Sequence, residues 1–456
     1  MIETTWIANN SEGGFRYIIN QLACAGICIF MTLPYLRNRL GLYFLIFAFG
    51  VWLITTDLKW LAEKPPKDFI FLALFFATFI PYIVTHKLGY GAFGIKTLTV
   101  IVPIFFLGYI INQYYMHYKR DYNSLGKIAL VSLVCYIIGS IQTYLGLLQY
   151  PGASRSLAGG VYEQSADLAA LYMKLGIGGF GYIYAASLIF IASFYFFTKG
   201  SASINKKYKA ICVVSMLLMV VMIFKASYAT AILSIVLGIV LTLVVKNTKS
   251  LVLFMIFTAV FLLMFPQELI GEFLLRIAKL FSGNETLYKR FAILASGFLP
   301  NDSIVEQGVT RSELYLTSLK TFLMHPLFGV YGPFGGGEDP NSVFVIGGHS
   351  GWLDLLGFYG LFAGVPLFLS IYFHIKKQLD FFKDSKCLGL IVIVSFMFIV
   401  LGAINPIITV YDIGFAQFCI VPAIPFLGNA FTPNSDRPEG IELPGAVNAK
   451  RTGIGH

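Results

Sequence analysis

GGHSGWLDLLGFYGLFAG, residues Gly347–Gly364, begins as a small polar loop with one histidine and passes at once into a run apolar enough to enter a lipid bilayer. The same character extends along the chain. Of 456 residues, 57% are hydrophobic and 12% charged, and the mean hydropathy is +0.75. Soluble domains carry about 25% charged residues, so lipid rather than water must solvate most of this surface. The 43 Phe and 26 Tyr suit lipid-facing and interfacial positions. A net charge of +10 does not indicate nucleic acid, because Lys and Arg on the cytoplasmic side of a membrane protein produce the same excess. The six cysteines all lie in apolar segments, which argues against a disulfide framework or a zinc site. The first apolar run, from Tyr17, leads into further spans and reads as a membrane helix rather than an export signal.

Segments of about 20 apolar residues, or somewhat fewer, cross a bilayer. Twelve qualify: 17–36, 41–56, 69–84, 97–112, 128–148, 176–197, 208–224, 229–245, 250–266, 351–373, 387–403 and 414–427. An even number places both ends on one side. With both ends cytoplasmic, the inner loops hold sixteen cations: Lys59, Lys64, Lys67, Lys119, Arg120, Lys127, Lys199, Lys206, Lys207, Lys209, Lys246, Lys249, Lys376, Lys377, Lys383 and Lys386. The outer connections hold seven: Arg37, Arg39, Lys87, Lys96, Arg155, Lys174 and Lys225. The bias favours this orientation, although Arg37 and Arg39 run against it. The expectation is an all-α polytopic membrane protein of about twelve helices. One transmembrane domain covers 1–430, with long outer loops at 149–175 and 267–350, and a disordered cytoplasmic tail rich in Pro, Gly and Asn covers 431–456. No solenoid-length repeat is present.

Polar and unusual residues concentrate in the two outer loops. LIGEFLLRIAKLF (269–281) sets Leu269, Phe273, Ile277 and Leu280 at helical spacing, with Glu272, Arg276 and Lys279 on another face. This pattern predicts an amphipathic helix lying in the interface, with a weak Glu272–Arg276 pair. TRSELYLTSLKTFLMHPLFG (310–329) carries a T-x-x-E capping box in Thr310 and Glu313, which predicts a helix from Thr310 that stops before Pro326. Arg311 in its first turn opposes the helix dipole, so either an anionic ligand or a surface ion pair must offset it. VYGPFGGGEDPNSVFVIGG (330–348) is glycine-rich and suits a flap or a close backbone approach to a ligand; it lacks the Gly-Lys-Ser/Thr of a P-loop.

Ser350 is the expected N-cap of the next membrane helix, which holds His349 just outside the first turn. An imidazole there can take a proton from a hydroxyl; the alternative is an interfacial histidine bonded to backbone. Asp354, a carboxylate inside the span, either orients His349 or neutralises an arginine. In the shorter loop, Arg155 sits in a Gly/Ser-rich turn open to a bulky anion. Glu163, Gln164, Asp167, Tyr172 and Lys174 follow on a helix, with Asp167 and Lys174 read as solvated.

Together these features resemble the O-antigen polymerase and O-antigen ligase superfamily of bacterial inner-membrane glycosyltransferases. The resemblance rests on about twelve spans and a long outer loop between spans nine and ten. That loop carries arginines, then HPLFG (325–329), then His349–Ser350 leading into LDLLGFYGLFAG with Gly360 and Gly364. Ala363 stands at the small or polar position of the ligase pattern, and the earlier loop supplies Arg155 and Gly159. One departure is KASYATAIL (225–233), where many members have Ser-Arg-Gly and Lys225 stands in for the arginine.

The resemblance implies a GT-C-like fold with a large helical periplasmic loop, and a metal-independent reaction without cofactor on the periplasmic face. An acceptor hydroxyl attacks the anomeric carbon of a glycan on undecaprenyl diphosphate, and the lipid diphosphate leaves. It implies His349 as the base. Arg155, Arg290 and Arg311, with Arg276 in reserve, would meet the departing diphosphate, whose growing charge suits arginine's fixed fork of donors. Asp354, Ser350, Lys225 and Glu313 would support them. The implied partners are the lipid-linked oligosaccharide, membrane lipid, a chain-length regulator and a flippase, with no nucleic acid. A ligase acting on lipid A–core shares these features. A transporter is the alternative of another class; it requires ionisable residues in mid-span, and the sequence shows few, with Asp354 and Asp412 near span ends and Lys225 at a boundary.

Overall fold

A computed structural model describes residues 3–56, 67–78, 101–157, 166–200, 205–264, 266–296, 299, 311–330, 346–407 and 410–431. Among the described residues there are helices and connecting turns and no strand. The helices are α1 (Glu3–Thr32), α2 (Arg39–Thr55), α3 (Lys67–Ala77), α4 (Leu107–Asn112, continued as a π-helix over Gln113–Lys119), α5 (Tyr122–Gln149), α6 (Ala153–Ser156), α7 (Ala166–Lys174) and α8 (Phe180–Tyr195). They continue with α9 (Lys206–Ala226), α10 (Ala229–Val244), α11 (Thr248–Met264), α12 (Gln267–Leu280), α13 (Glu285–Ser296), α14 (Arg311–Met324), α15 (Gly351–Phe382), α16 (Leu388–Ile404) and α17 (Tyr411–Phe415, running on through mixed helical turns to Asn429).

Six segments are long and apolar enough to cross a membrane: Gly14–Thr32, Tyr122–Gln149, Phe180–Gly200, Lys206–Ala226, Gly351–Phe382 and Tyr411–Asn429. Helices α10 and α11 qualify only as a pair and turn by 120° at the break between them. Leu40–Thr55 and Leu388–Ile404 are apolar but shorter. The protein is a multi-pass helical membrane protein with six or seven such spans among the described residues. The second part of the expected span 69–84 and the start of the expected span 97–112 fall on 79–100, outside the described residues, as does the expected tail beyond Phe431.

Packing between these helices relies on small residues, since lipid gives no hydrophobic reward for helix association and close backbone approach must supply van der Waals contact. Gly126 lies against the backbone of Phe426 and Ala430, Gly238 against Ile191, Gly389 against Tyr195 and Gly402 against Trp352. The outward faces keep large apolar side chains, among them Phe47, Leu243 and Phe257. All six cysteines are buried free thiols.

Arg37, which ran against the charge bias, is neutralised. Its guanidinium forms a buried ion pair with Asp412, donates to the Met31 carbonyl and lies over the rings of Tyr182 (5.5 Å) and Tyr411 (5.8 Å). A cation that travels with its carboxylate adds no net charge to its side of the membrane. The pair ties the α1–α2 turn to α8 and α17.

The decisive irregularity is in α15. Thirty-two residues of straight helix would reach about 48 Å, well beyond a bilayer core of about 30 Å. The helix breaks at Gly360, whose φ of 61° and ψ of −166° only glycine adopts readily. The HPLFG turn packs into the break. The Leu361 and Phe362 amides donate to the carbonyls of Pro326 (2.8 Å) and Leu327 (2.9 Å), and the Val330 amide donates to Gly357 (3.1 Å). The turn closes on itself through Gly329, also left-handed, whose amide donates to the His325 carbonyl (3.0 Å). The motif read from the sequence is thus the partner of the first motif glycine.

Two outcomes follow. Gly360→Ala is expected to lose about 1–3 kcal/mol from backbone strain alone, and more because its Cβ would sit 2.5 Å from the Leu327 carbonyl; Gly364→Ala, which meets only the tips of Leu355 and Leu356, is expected to keep its thermal midpoint in detergent. Arg37→Ala is expected to cost about 3–5 kcal/mol by stranding the Asp412 charge, and the double change Arg37→Leu/Asp412→Leu to recover most of it, read by the same melting assay.

Candidate functional site

The residues singled out from the outer loops fall into two groups. The first is built at the mouth of α15. Ser350 caps the helix as expected, its hydroxyl accepting from the Leu353 amide (3.4 Å). Asp354, 2% exposed, points its carboxylate back at the loop. It accepts from the Ser318 hydroxyl of α14 (2.6 Å), the Gly348 amide (3.3 Å) and the Ser350 amide (3.1 Å). Ser318 in turn accepts from the Gly347 amide (2.9 Å). Among the described residues Asp354 makes no hydrogen bond to the imidazole and no ion pair with an arginine; it holds the backbone on both sides of His349, whose side chain is exposed. A helix N-terminus favours a carboxylate, and three donors satisfy most of its acceptor capacity.

The second group surrounds the turn between α9 and α10, where Ser227 adopts a left-handed conformation (φ 59°). Short α6 brings Arg155 to this turn. Its guanidinium donates to the Ser227 carbonyl and lies 5.0 Å over the Tyr228 ring. The Tyr228 hydroxyl donates to the Ser154 carbonyl (3.0 Å) and the Ser154 hydroxyl to Gly178 (2.6 Å), which fix α6 in place. From the long loop, Asn284 caps α13 by accepting from the Leu287 amide and donates through its side chain to the Ser227 hydroxyl (2.9 Å). That docks α13 and brings Arg290 beside Arg155. Burial first, and then the Arg290 charge, push the Arg155 guanidinium below its ordinary value. The Arg155 Nε is buried without a hydrogen-bond partner. No carboxylate is within ion-pair reach of either arginine among the described residues. An aromatic wall of Phe224, Phe281 and Phe291 flanks the site, with Phe281 stacked on Phe291 at 5.3 Å.

The turn at 225–233 has no arginine of its own and receives Arg155 from α6 in the preceding loop. Lys225 is half-buried in the last turn of α9. Arg276 is exposed on α12, and the expected Glu272–Arg276 pair does not form; the pair on this hairpin is the exposed Glu285–Lys289 (2.7 Å). Arg311 opens α14 and Glu313 follows in its first turn, exposed. The Arg311 side chain, Thr310, Gly159, Glu163 and Gln164 lie outside the described residues. Asp167 and Lys174 are exposed on α7. No hydrogen bond or ion pair among the described residues links His349 to Arg155 or Arg290.

Three contributors escaped the sequence reading. Asn284, ahead of a helical run, carries a cap signal that could have been read. Ser318 and Ser227 carry none, because their partners are 36 and 57 residues away. No protein-family model and no curated protein matches the chain.

Asp354→Asn is expected to free the 346–350 loop, because an amide offers one acceptor where the carboxylate offers two. Bonds to a charged group contribute about 1.5–3 kcal/mol, so hydrogen exchange at the Gly348 and Ser350 amides should rise about tenfold or more. Unchanged exchange there would remove the clamp role.

Proposed function

We propose that the protein is a twelve-span glycosyltransferase of the bacterial inner membrane that joins lipid-linked repeat units on the periplasmic face. One observation carries the reading. Arg155 and Arg290 lie side by side with no carboxylate in ion-pair reach among the described residues, and Arg155 is half-buried with an unpartnered Nε. Like charges at close range repel, and a diphosphate offsets that cost while matching the guanidinium forks. Arg155 and Arg290 hold the diphosphate of the undecaprenyl carrier, with Arg311 and Arg276 as further cations of the same loop. The apolar faces between helices hold the polyprenyl chain. His349 takes the proton from the acceptor hydroxyl as its oxygen bonds to the anomeric carbon; the carbon–oxygen bond to phosphate breaks, and its electron pair leaves with the diphosphate.

The chain-extending polymerase is the primary reading. A ligase acting on lipid A–core uses the same donor chemistry and differs in the acceptor. Deletion of a polymerase should leave lipopolysaccharide capped with one repeat unit, and deletion of a ligase should leave none attached. The Asp68–Gln113–His374–Lys377 cluster described below places ionisable groups between helices toward one end of the spans, which also suits a transporter. Flux of lipid-linked substrate in vesicles without any new glycosidic bond would favour that reading.

The test is extension of lipid-linked repeat units by the purified protein, with products sized in the presence and absence of chelator. His349→Ala is expected to lose about 10²–10⁴-fold in rate, and Arg155→Lys or Arg290→Ala about 10²-fold or more, with chelator without effect. Wild-type glycan length from His349→Ala would remove the base, and full activity from Arg155→Lys would remove the diphosphate site.

A further inference from the structure

Roughly 20 Å along α15 from Gly360, toward the end that the proposed orientation gives to the cytoplasm, lies a polar cluster that the outer site does not use. Asp68 of α3, Gln113 of the π-helix after α4, and His374 and Gln378 of α15 are each at most 2% exposed. Gln113 Nε2 donates to Asp68 Oδ2 (3.2 Å) and sits 3.0 Å from His374 Nδ1. Gln113 Oε1 accepts from the Lys377 ammonium, which is partly exposed. His374 Nδ1 and Asp68 Oδ2 are 3.9 Å apart, too far for a hydrogen bond. His374 Nε2 lies 2.9 Å from the Gln378 side-chain nitrogen. The Tyr109 ring, 4.0 Å away by centroids, and the Phe418 ring, at 5.0 Å, wall the imidazole off.

The donor count of this cluster is informative. A neutral imidazole has one donor and one acceptor nitrogen. Both ring nitrogens face side-chain amide nitrogens, and a neutral ring accepts at only one of them; because Lys377 holds the Gln113 oxygen, Nδ1 accepts and the ring proton is on Nε2. Turning the Gln378 amide end for end presents its oxygen, otherwise without a partner, as the acceptor of that proton. In this arrangement Lys377 and Asp68 communicate through the Gln113 amide. A proton added to Nδ1 sets donor against donor, and the Gln113–His374 bond must break. Two responses restore satisfaction. The imidazolium closes on Asp68, or the Gln113 amide turns its oxygen to Nδ1 and releases Lys377 to the aqueous edge. Each rearrangement changes how α3 and the π-helix seat against α15. The cluster therefore has two satisfied states that differ by one proton, taken from water at the inner face.

We propose that this cluster is a proton-binding site that switches the packing of α3 against α15. The titratable and charged groups facing His374 among the described residues are Asp68 from α3, Tyr109 from α4, His117 from the π-helix and Lys377 on α15 itself. The outer end of α15 carries the Ser350–Asp354 clamp, so the switch gives inner pH a mechanical route to the loop that holds His349. The inference stands apart from the glycosyl-transfer reading and applies equally to a transporter.

The experiment uses the full-length protein in nanodiscs, spin-labelled at Leu74→Cys on α3 and Tyr372→Cys on α15. Both positions are exposed and the native cysteines are buried. Between about pH 8 and pH 4, the mean label distance is expected to shift by about 1–2 Å. His374→Gln and Asp68→Asn should each abolish the shift, and His117→Gln should retain it. A constant distance in the wild-type background, or the same shift in His374→Gln, overturns the proposal. Loss of the shift only in His117→Gln overturns it as well. If His374→Gln does not fold, ¹⁵N-histidine spectra of the unmodified protein decide: the His374 ring must pass from the neutral to the doubly protonated signature over this range, and a ring that stays neutral overturns the proposal.

Discussion

Within a bilayer, every backbone amide and carbonyl must find a partner inside the protein, because lipid supplies none. The break at Gly360 would leave several such groups open. The HPLFG turn closes them by accepting from Leu361 and Phe362 and donating from Val330. With that bargain struck, one helix serves two environments. Its long inner part has the length of a membrane span, and its first nine residues are free to carry polar groups at the rim. The Asp354 clamp, the Ser350 cap and the exposure of His349 all depend on this division. A straight α15 would drive the same residues away from α14, which supplies Ser318.

The arginine site follows a related logic at a different place. Long-range bonds from Asn284 and Arg155 converge on the single left-handed residue Ser227. Two loops far apart in the chain are thereby pinned to one turn, and their cations become neighbours. A closed ion pair would have spent those charges internally, as Arg37 and Asp412 do. Among the described residues Arg155 and Arg290 have no acid in ion-pair reach, which leaves their field available to an anion. The aromatic wall beside them provides apolar surface continuous with the helices below, which suits a ligand whose head is charged and whose tail is hydrocarbon.

Much of this architecture is legible in the sequence because bilayer length and polarity are one-dimensional signals. The apolar runs at 128–148, 208–224 and 387–403 emerge as helices, Ser350 caps where a small hydroxyl should, and Pro326 stops α14 where its ring forbids continuation. Span number is less legible: runs of sixteen or seventeen residues such as Leu388–Ile404 sit at the margin of what crosses, and α10 and α11 share one bend. Arg155 stands out by its glycine-rich setting, but its meeting with Arg290 depends on contacts made only after folding. Asp354 is conspicuous for its position, but its partners, the Ser318 hydroxyl and the Gly348 and Ser350 amides, are not revealed by composition. The inner cluster is hidden for a different reason. Asp68 and Lys377 look like loop charges at span ends, and His374 sits in an apolar run where nothing local marks it as bonded.

The central claim is that the arginine pair carried by α6 and α13, and the His349 loop at the start of α15, face away from the cytoplasm. Because all native thiols are buried, single exposed cysteines can report on this directly. Ser282→Cys lies between α12 and α13, and Asp384→Cys just beyond α15. With a membrane-impermeant maleimide on intact spheroplasts, the account expects labelling at 282, with labelling at 384 only after lysis. Labelling at 384 from outside, with 282 protected until lysis, would contradict it.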